Sequence, residues 1–167
     1  PPRLRLAKPN VRGRESKGRS RAMFYGEFEH TIDRKGRVII PAKFRQVLKA
    51  DAIDTLFITR GLDGCLFVFT EPEWRVAEGR FKQVSFTKAE GRKFNRLFFS
   101  GAMEIRLDHL GRVLLPKHLK EFAQITQEVV VVGVANRMEI WAQEKWREFY
   151  ETSRQSFEDL AERVLLE

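Results

Sequence analysis

Hydrophobic positions along the chain predict a series of short strands and amphipathic helices. Phe44, Val47 and Leu48 have the i, i+3, i+4 spacing of an amphipathic helix, and Pro41 suits its first turn because that position needs no N–H donor. The segment 61–64, Gly-Leu-Asp-Gly, has the composition of a hairpin turn. Apolar alternation or short apolar runs predict strands at residues 23–32, 38–40, 56–59 and 65–69.

Two segments with capping-box spacing, Thr70 with Glu73 and Thr87 with Glu90, predict the N-termini of two further helices. The apolar face of the first helix would be formed by Trp74, Ala77, Phe81 and Val84. The second would bury Phe94, Leu97 and Phe98 and end at Gly101.

A long C-terminal helix is predicted from about Gln143. Its apolar stripe comprises Trp146, Phe149, Tyr150, Ser153, Phe157, Leu160 and Val164. We expect the first half of this stripe to cover the strands. The second half, around residues 157–165, would reach a neighbouring subunit.

A five-residue motif that runs from Asp to Arg occurs twice in the chain. Asp33-Arg34-Lys35-Gly36-Arg37, followed by Val-Ile-Ile-Pro, returns as Asp108-His109-Leu110-Gly111-Arg112, followed by Val-Leu-Leu-Pro. The correspondence continues through the next helix and two strands, at an offset of 75 positions early and 72 late. A match that keeps its register in this way predicts two copies of one structural unit.

Positive charge is concentrated at the N-terminus. The 167 residues carry a formal charge of +8, which is typical of proteins that bind nucleic acid. Residues 1–22 hold eight Lys or Arg and one acid, whereas residues 23–167 hold 23 basic and 22 acidic residues. The tail is rich in Arg, Pro, Gly and Ser, which predicts disorder. It could be a cloning remnant, an upstream extension or a DNA-tracking arm.

Within residues 23–167, basic side chains gather at the repeated turns. Asp33 would accept hydrogen bonds from backbone N–H groups and fix the turn, while Gly36 would take a backbone conformation closed to other residues. Arg37 would then leave the turn on a rigid strand, and its guanidinium fork matches guanine or a phosphate. Arg34 and Lys35, at the tip, suit phosphates.

Asp108, Gly111 and Arg112 repeat these roles, and Lys43 belongs to the same basic segment as the first turn. The simpler interpretation is a structural turn in which Asp33 pairs with Arg37, since exposed ion pairs are common and weak. Duplication favours a pair of DNA-contacting turns, because a pseudo-symmetric protein suits a pseudo-symmetric duplex.

The sequence contains no motif typical of an enzyme active site. Cys65 is the single cysteine and lies in an apolar strand, which predicts a buried thiol, no internal disulfide and a cytoplasmic location. His30, His109 and His118 lack metal-ligand spacing, and neither a nucleophile elbow nor a phosphate loop is present. We therefore expect no enzyme activity, metal, cofactor or small-molecule substrate. No apolar run approaches the roughly 18 residues of a membrane span, so we expect no membrane partner.

Several of these segments together resemble the MraZ family of bacterial transcription regulators, in the AbrB/SpoVT superfamily. The resemblance covers residues 23 to about 150. It is carried by Met23 to Phe28, His30 to Arg37, Ile40 to Arg45, Arg60 to Leu66, Arg96 to Ala102 and Glu139 to Trp141.

The resemblance implies an α+β fold in which two tandem AbrB-like repeats interleave into one swapped-hairpin barrel with flanking helices. The repeats would span 27–74 and 103–146, with a helical linker at 75–102, a C-terminal helix at 147–167 and the tail at 1–22. It also implies a ring-like homo-oligomer, associated with the nucleoid, that binds double-stranded DNA. The family's Asp-x-x-x-Arg motifs face DNA, and they correspond to Asp33 to Arg37 and Asp108 to Arg112.

The resemblance further implies binding to short direct repeats upstream of the protein's own gene, with repression of a division and cell-wall gene cluster. The second tip departs from the first, because His109 and Leu110 stand where Arg34 and Lys35 stand. We therefore expect Arg37 to matter more than Arg112. An antitoxin-like barrel that binds a protein partner is the alternative function.

Overall fold

This computed structural model describes residues 22–166 of the chain, which form fourteen helices and strands. The prediction for the tail falls almost wholly outside those residues. The strands are β1 (Phe24–Thr31), β2 (Arg37–Ile39), β3 (Thr55–Arg60), β4 (Leu66–Thr70), β5 (Met103–Arg106), β6 (Arg112–Leu114), β7 (Glu128–Ala135) and β8 (Arg137–Ala142). The helices are α1 (Ala42–Ala50), α2 (Glu71–Lys82), α3 (Ala89–Gly101), α4 (Lys117–Phe122), α5 (Gln143–Arg154) and α6 (Phe157–Leu165).

Strands of the first copy pair with strands of the second. The larger sheet has six strands in the order β1-β7-β8-β4-β3-β5, and every pairing in it is antiparallel. The first strand of each copy pairs with a strand of the other copy. Strand β1 of the first copy pairs with β7 of the second, and β5 of the second copy pairs with β3 of the first. A second sheet consists of β2 and β6 alone. The predicted α+β class is confirmed, and the sheet ends at β1 and β5 rather than closing through a pairing between them.

One hydrophobic core joins the two copies. Val38 of β2 and Val113 of β6 lie opposite each other and are fully buried. Phe44 of α1 packs edge-on against Phe24 and Phe28 of β1, with ring centroids 5.3 and 5.2 Å apart. The predicted helix over residues 42–50 therefore has its apolar face where the spacing placed it.

A separate aromatic cluster holds α2 and α3 against the large sheet. Trp74 of α2 lies between Phe57 of β3, 5.3 Å away, and Phe98 of α3, 5.6 Å away, in stacked arrangements. Thr59 donates its hydroxyl to the backbone carbonyl of Phe98, which satisfies a buried polar group on β3. Leu97, predicted to be buried beside Phe98, is instead 59% exposed.

The predicted helix starts are confirmed, at the N-cap Thr70 for α2 and one residue later than predicted, at the N-cap Lys88, for α3. The capping boxes themselves do not form, because neither N-cap residue makes a side-chain cap hydrogen bond. Thr87 lies one residue before the cap of α3, where its hydroxyl pairs with that of Ser85. Arg92 donates to the carbonyls of Phe86 and Thr87, and these bonds tie the helix start to the preceding loop.

The long C-terminal helix is divided into α5 and α6 at Ser156. The backbone N–H and the hydroxyl of Ser156 both donate to the carbonyl of Ser153. A serine that bonds to the preceding turn in this way competes with the helical hydrogen-bond ladder. The apolar stripe predicted as continuous is therefore carried by two helices.

Gly133 of β7 offers a test of the pairing between copies. A Cβ at this position would lie 2.5 Å from both the carbonyl carbon of Phe24 and the amide nitrogen of Tyr25 in β1. Because backbone atoms cannot move aside, we expect Gly133→Ala to lower the free energy of unfolding by about 1–3 kcal/mol. Gly79→Ala in α2 is the matched control, since nothing lies within 4 Å of its Cβ and alanine favours a helix. Urea unfolding followed by circular dichroism measures both, and equal stability of the two variants would contradict the pairing.

Candidate nucleic-acid interface

The first turn is built by one carboxylate that organises the whole loop. Asp33 accepts hydrogen bonds through Oδ1 from the backbone N–H groups of Lys35 and Arg37, both at 2.9 Å. Through Oδ2 it accepts from Nε of Arg37 at 2.7 Å. Gly36 has φ +81°, a conformation that side chains with a Cβ rarely adopt. The turn thus fixes the Arg37 guanidinium at the start of β2.

The second turn reproduces this geometry. Asp108 accepts from the backbone of Leu110 and Arg112 at 2.9 Å each, and from Nε of Arg112 at 2.8 Å. Gly111 has φ +75°. The bonding depends only on the Asp, Gly and Arg positions, so the different tip residues leave the turn unchanged.

The two turns are joined to each other through β2 and β6. Ile40 donates its N–H to the carbonyl of Gly111, and Leu115 donates to that of Gly36, both at 2.9 Å. With Val38 opposite Val113, the pairing relates the turns by an approximate two-fold axis. The structure therefore brings the two predicted motifs together on one small sheet.

Arg37 and Arg112 differ in how they are paired. Nε of each is bound by its own aspartate, and the side chains are 27% and 22% exposed. Arg112 also places Nη1 3.6 Å from Oδ2 of Asp33, in the other copy. Within residues 22–166, Arg37 makes no such second ion pair. Its guanidinium consequently keeps more of its donors available.

Each copy also places a cation over the turn of the other. Side-chain atoms of Arg45 in α1 lie against Gly111, within 2.9 Å of where a Cβ would be, and Lys120 of α4 lies against Gly36 in the same way. In the sequence, both residues belong to the basic segments at the repeated turns, but neither was among the predicted DNA-contacting residues. Their positions differ by 75, the offset of the repeat, and that correspondence is the signal by which the sequence could have revealed them.

Arg45 lies in a partly buried and electropositive setting. Its Nε is buried and has no hydrogen-bond partner among the described residues, and the same is true of Nε2 of His30. Burial and the nearby Arg45 cation lower the pKa of His30. A buried donor without a partner is costly, so the position of Arg45 beside the second turn carries a cost in stability.

The exposed tips carry the difference between the copies. Arg34 and Lys35 are both exposed, as are His109 and Leu110, and Leu110 is 51% exposed. Lys43 is exposed on α1, and no hydrogen bond or ion pair links it to either turn in the described part of the chain. The first tip is therefore basic and the second largely neutral.

Cys65 lies far from this chemistry. Its side chain is fully buried, and burial raises the pKa of the thiol well above its usual range. Sγ contacts the carbonyl of Leu62 at 3.1 Å. The prediction of a buried thiol is confirmed.

Residues 22–166 contain no cluster of three or more His, Cys, Asp or Glu side chains that could hold a metal ion. No helix among them is both long enough and apolar enough to cross a bilayer.

The fold and the paired turns define a class of protein in which two tandem repeats build one basic surface. A family model described as "MraZ protein, putative antitoxin-like" matches residues 23–97 and 98–167. The chain belongs to the MraZ family.

Among solved structures, the chain is similar to one titled "The solution structure of PHS018 from pyrococcus horikoshii", at 16% sequence identity. The match covers 67% of this chain and 91% of that chain, with a TM-score of 0.30. Similarity at that level supports no statement about fold or function.

Acid should weaken both turns. The backbone N–H of Arg37 lowers the pKa of Asp33, the backbone N–H of Arg112 lowers that of Asp108, and the arginine side chains add to each effect. A carboxyl group whose pKa is lower in the folded protein than in the unfolded chain stabilises the folded state at pH values above its ordinary pKa of 3.8. This contribution is lost as the pH falls through the lowered pKa.

We therefore expect the urea midpoint of the wild type to fall more steeply below about pH 4 than that of the double variant Asp33→Asn, Asp108→Asn. Glu104→Gln, which removes an exposed carboxylate of β5, is the control and should keep the wild-type slope. An equally steep fall in the double variant would show that the turn carboxylates do not contribute.

Proposed function

We propose that the protein is a sequence-specific DNA-binding transcription regulator that uses the two Asp–Arg turns as one reading surface. The supporting observation is the reciprocal joining of the turns through β2 and β6, which holds Arg37 and Arg112 in matching positions. A lone ion pair would account for one such turn. It does not account for two turns held together by a symmetric pair of backbone bonds.

The aspartates leave each guanidinium able to bind an acceptor. Each uses Nε for its aspartate, so the terminal nitrogens are the donors that meet guanine O6 and N7, or a phosphate. An arginine whose orientation is already fixed loses less rotamer freedom on binding. We propose that Arg37 contributes more than Arg112, because Arg112 also faces Asp33.

The surrounding cations would position the duplex. Arg34 and Lys35 at the first tip and Lys43 on α1 are exposed and suited to phosphates, which fix register without reading sequence. Arg45 and Lys120 lie beside the turns themselves.

Membership of the family supports the finer proposals. The target would be short direct repeats upstream of the protein's own gene, and binding would repress the division and cell-wall cluster from within the nucleoid. Exchange of β1 and β5 between the copies supports an AbrB-like swapped-hairpin barrel with repeats at 27–74 and 103–146.

The nearly neutral net charge of residues 23–167 favours DNA binding by an oligomer over binding by a single chain. Residues 23–167 hold only one more basic than acidic residue, so one chain neutralises few phosphates. Affinity rises with the number of phosphates neutralised. A ring-like homo-oligomer would present several turn pairs to successive direct repeats.

An antitoxin-like module that binds a protein partner is the second candidate, and the description of the family as antitoxin-like favours it. The two functions differ in what the turns do. A protein-binding module would keep its partner when the turn arginines are removed, whereas a DNA-binding one would no longer bind its operator.

Replacing Arg37 tests the proposal directly. We expect Arg37→Ala to weaken binding to promoter DNA by about 1–3 kcal/mol per engaged turn, and Arg112→Ala to weaken it less. Fluorescence anisotropy on labelled promoter DNA measures both. Arg75→Ala is the control, since Arg75 lies on α2 and pairs with Glu71 and Glu78 outside the turns. Unchanged affinity of Arg37→Ala would refute the proposal.

Exchanging the tips tests whether the copies bind DNA unequally. The double variant Arg34→His, Lys35→Leu gives the first tip the sequence of the second. We expect it to reduce the slope of log affinity against log salt by about 1 for each phosphate that is no longer neutralised. The converse variant, His109→Arg with Leu110→Lys, should leave or increase the slope. A slope that does not change in the first variant would place the first tip away from phosphates.

A further inference from the structure

We propose that the outer side of α3 is a second DNA-contacting surface, which binds the phosphate backbone of a duplex without regard to its sequence. This inference rests on the DNA binding proposed above, because one duplex would occupy both surfaces. The turns would select the operator, and α3 would hold the backbone that flanks it.

The positive charge of residues 23–167 is concentrated in one segment, and that segment lies outside the turns. Residues 80–97 hold six Lys or Arg and one acid. The remainder of residues 23–167 holds 17 basic and 21 acidic residues. The end of α2, the connecting loop and most of α3 therefore carry the whole positive excess of this part of the chain.

The cations of α3 share one side of the helix. Successive residues of an α-helix are turned by about 100°, which places Arg92, Lys93 and Arg96 on the side away from the buried Phe98. All three cations are exposed. The same periodicity places Glu90, the single acid of the segment, on a different side. The outer side of α3 is thus a basic strip.

No salt bridge within residues 22–166 offsets the charge of this strip. Lys88, Arg92, Lys93 and Arg96 are absent from all of those salt bridges. The two bonds from Arg92 to loop carbonyls hold its side chain in place but do not cancel its charge. Arg92 and Arg96 are one helical turn apart, where like charges destabilise a helix. A polyanion bound along the strip would offset that repulsion.

The C-terminus of α3 is joined to the helix that reaches the first turn. Nε2 of His118 in α4 lies 3.3 Å from the carbonyl oxygen of Gly101, the last residue of α3. Two residues further along α4, Lys120 places Nζ against Gly36 of the first turn. Because α3 has 13 residues, the whole strip lies within about 20 Å of this junction. A duplex that extends past the turns by one helical turn, about 34 Å, covers more than that distance.

Two exposed apolar side chains lie beside the strip. Phe86, in the loop before α3, is 78% exposed, and Leu97 is 59% exposed. An acidic protein partner would use them, since aromatic side chains dominate protein interfaces. Phosphate contacts depend on charge and need neither side chain. The junction with the turns favours DNA, and the contribution of Phe86 distinguishes the two kinds of partner.

Removing two cations of the strip tests the proposal. Fluorescence anisotropy is measured over a range of salt concentrations, with a promoter duplex that includes flanking sequence and with an unrelated duplex of the same length. We expect K93Q/R96Q to reduce the slope of log affinity against log salt by about 2 on both duplexes. Its preference for the promoter should persist, because phosphate contacts carry no sequence information. Phe86→Ser should keep the wild-type slope and affinity.

Two further variants separate the local effect from changes in fold and in total charge. K93R/R96K retains both charges and should recover the wild-type slope, which a variant with a damaged helix would not do. R75Q/R147Q removes two exposed cations from α2 and α5, outside the strip, and should also keep the slope. An equal decrease in R75Q/R147Q would show an effect of total charge and overturn the proposal.

The same titrations distinguish failure of this surface from failure of the proposed function. Promoter preference in the wild type with an unchanged slope in K93Q/R96Q would overturn the α3 surface alone. A wild type without promoter preference would refute the proposed function, while a reduced slope of K93Q/R96Q on the unrelated duplex would still support the α3 surface. Weaker DNA binding by Phe86→Ser, or a wild type that binds neither duplex, would overturn the α3 surface.

Discussion

The pairing of β2 with β6 is the constraint on which the candidate site depends. Each strand has three residues, too few for a hairpin that is stable alone. They persist because Val38 and Val113 are buried in the shared core, and because Gly36 and Gly111 accept backbone bonds from the opposite copy. Neither copy can complete this small sheet by itself. Two copies of the unit are therefore a structural requirement of the turn pair, and this chain supplies both.

An acid at the centre of a basic surface has a consequence for binding. Asp33 and Asp108 cancel part of the positive charge, and in return they fix both the backbone and the guanidinium of each turn. Non-specific attraction to DNA depends on total charge, whereas base recognition depends on donors held in a defined position. Residues 23–167 are nearly neutral, so under the proposed function the turns would contribute base recognition more than general attraction to DNA.

Sequence pattern predicted the parts of the fold that are local. The turn chemistry of Asp33 and Gly36, the α1 face and the burial of Cys65 all follow from residue type and spacing. The cations beside each turn did not follow in the same way, because Arg45 and Lys120 reach Gly111 and Gly36 through a pairing between copies. The division of the last helix coincides with the two hydrogen bonds that Ser156 donates to the Ser153 carbonyl, and the exposure of Leu97 depends on which side of α3 meets Trp74. These features are set by tertiary packing. The offset of the repeat predicts which residues correspond between the two copies, but it does not predict which residues touch.

The two repeats share the hydrogen bonding of their turns but differ at the turn tips and at their outer surfaces. Around Trp74, the first copy packs α2 and α3 into an aromatic cluster whose outer side is basic. The equivalent Trp146 of the second copy begins an aromatic stripe on α5 that continues toward the acidic α6. Under the proposed function, the shared turn geometry would suit the near two-fold symmetry of a duplex, whereas the outer surfaces, which differ between the repeats, carry no such symmetry.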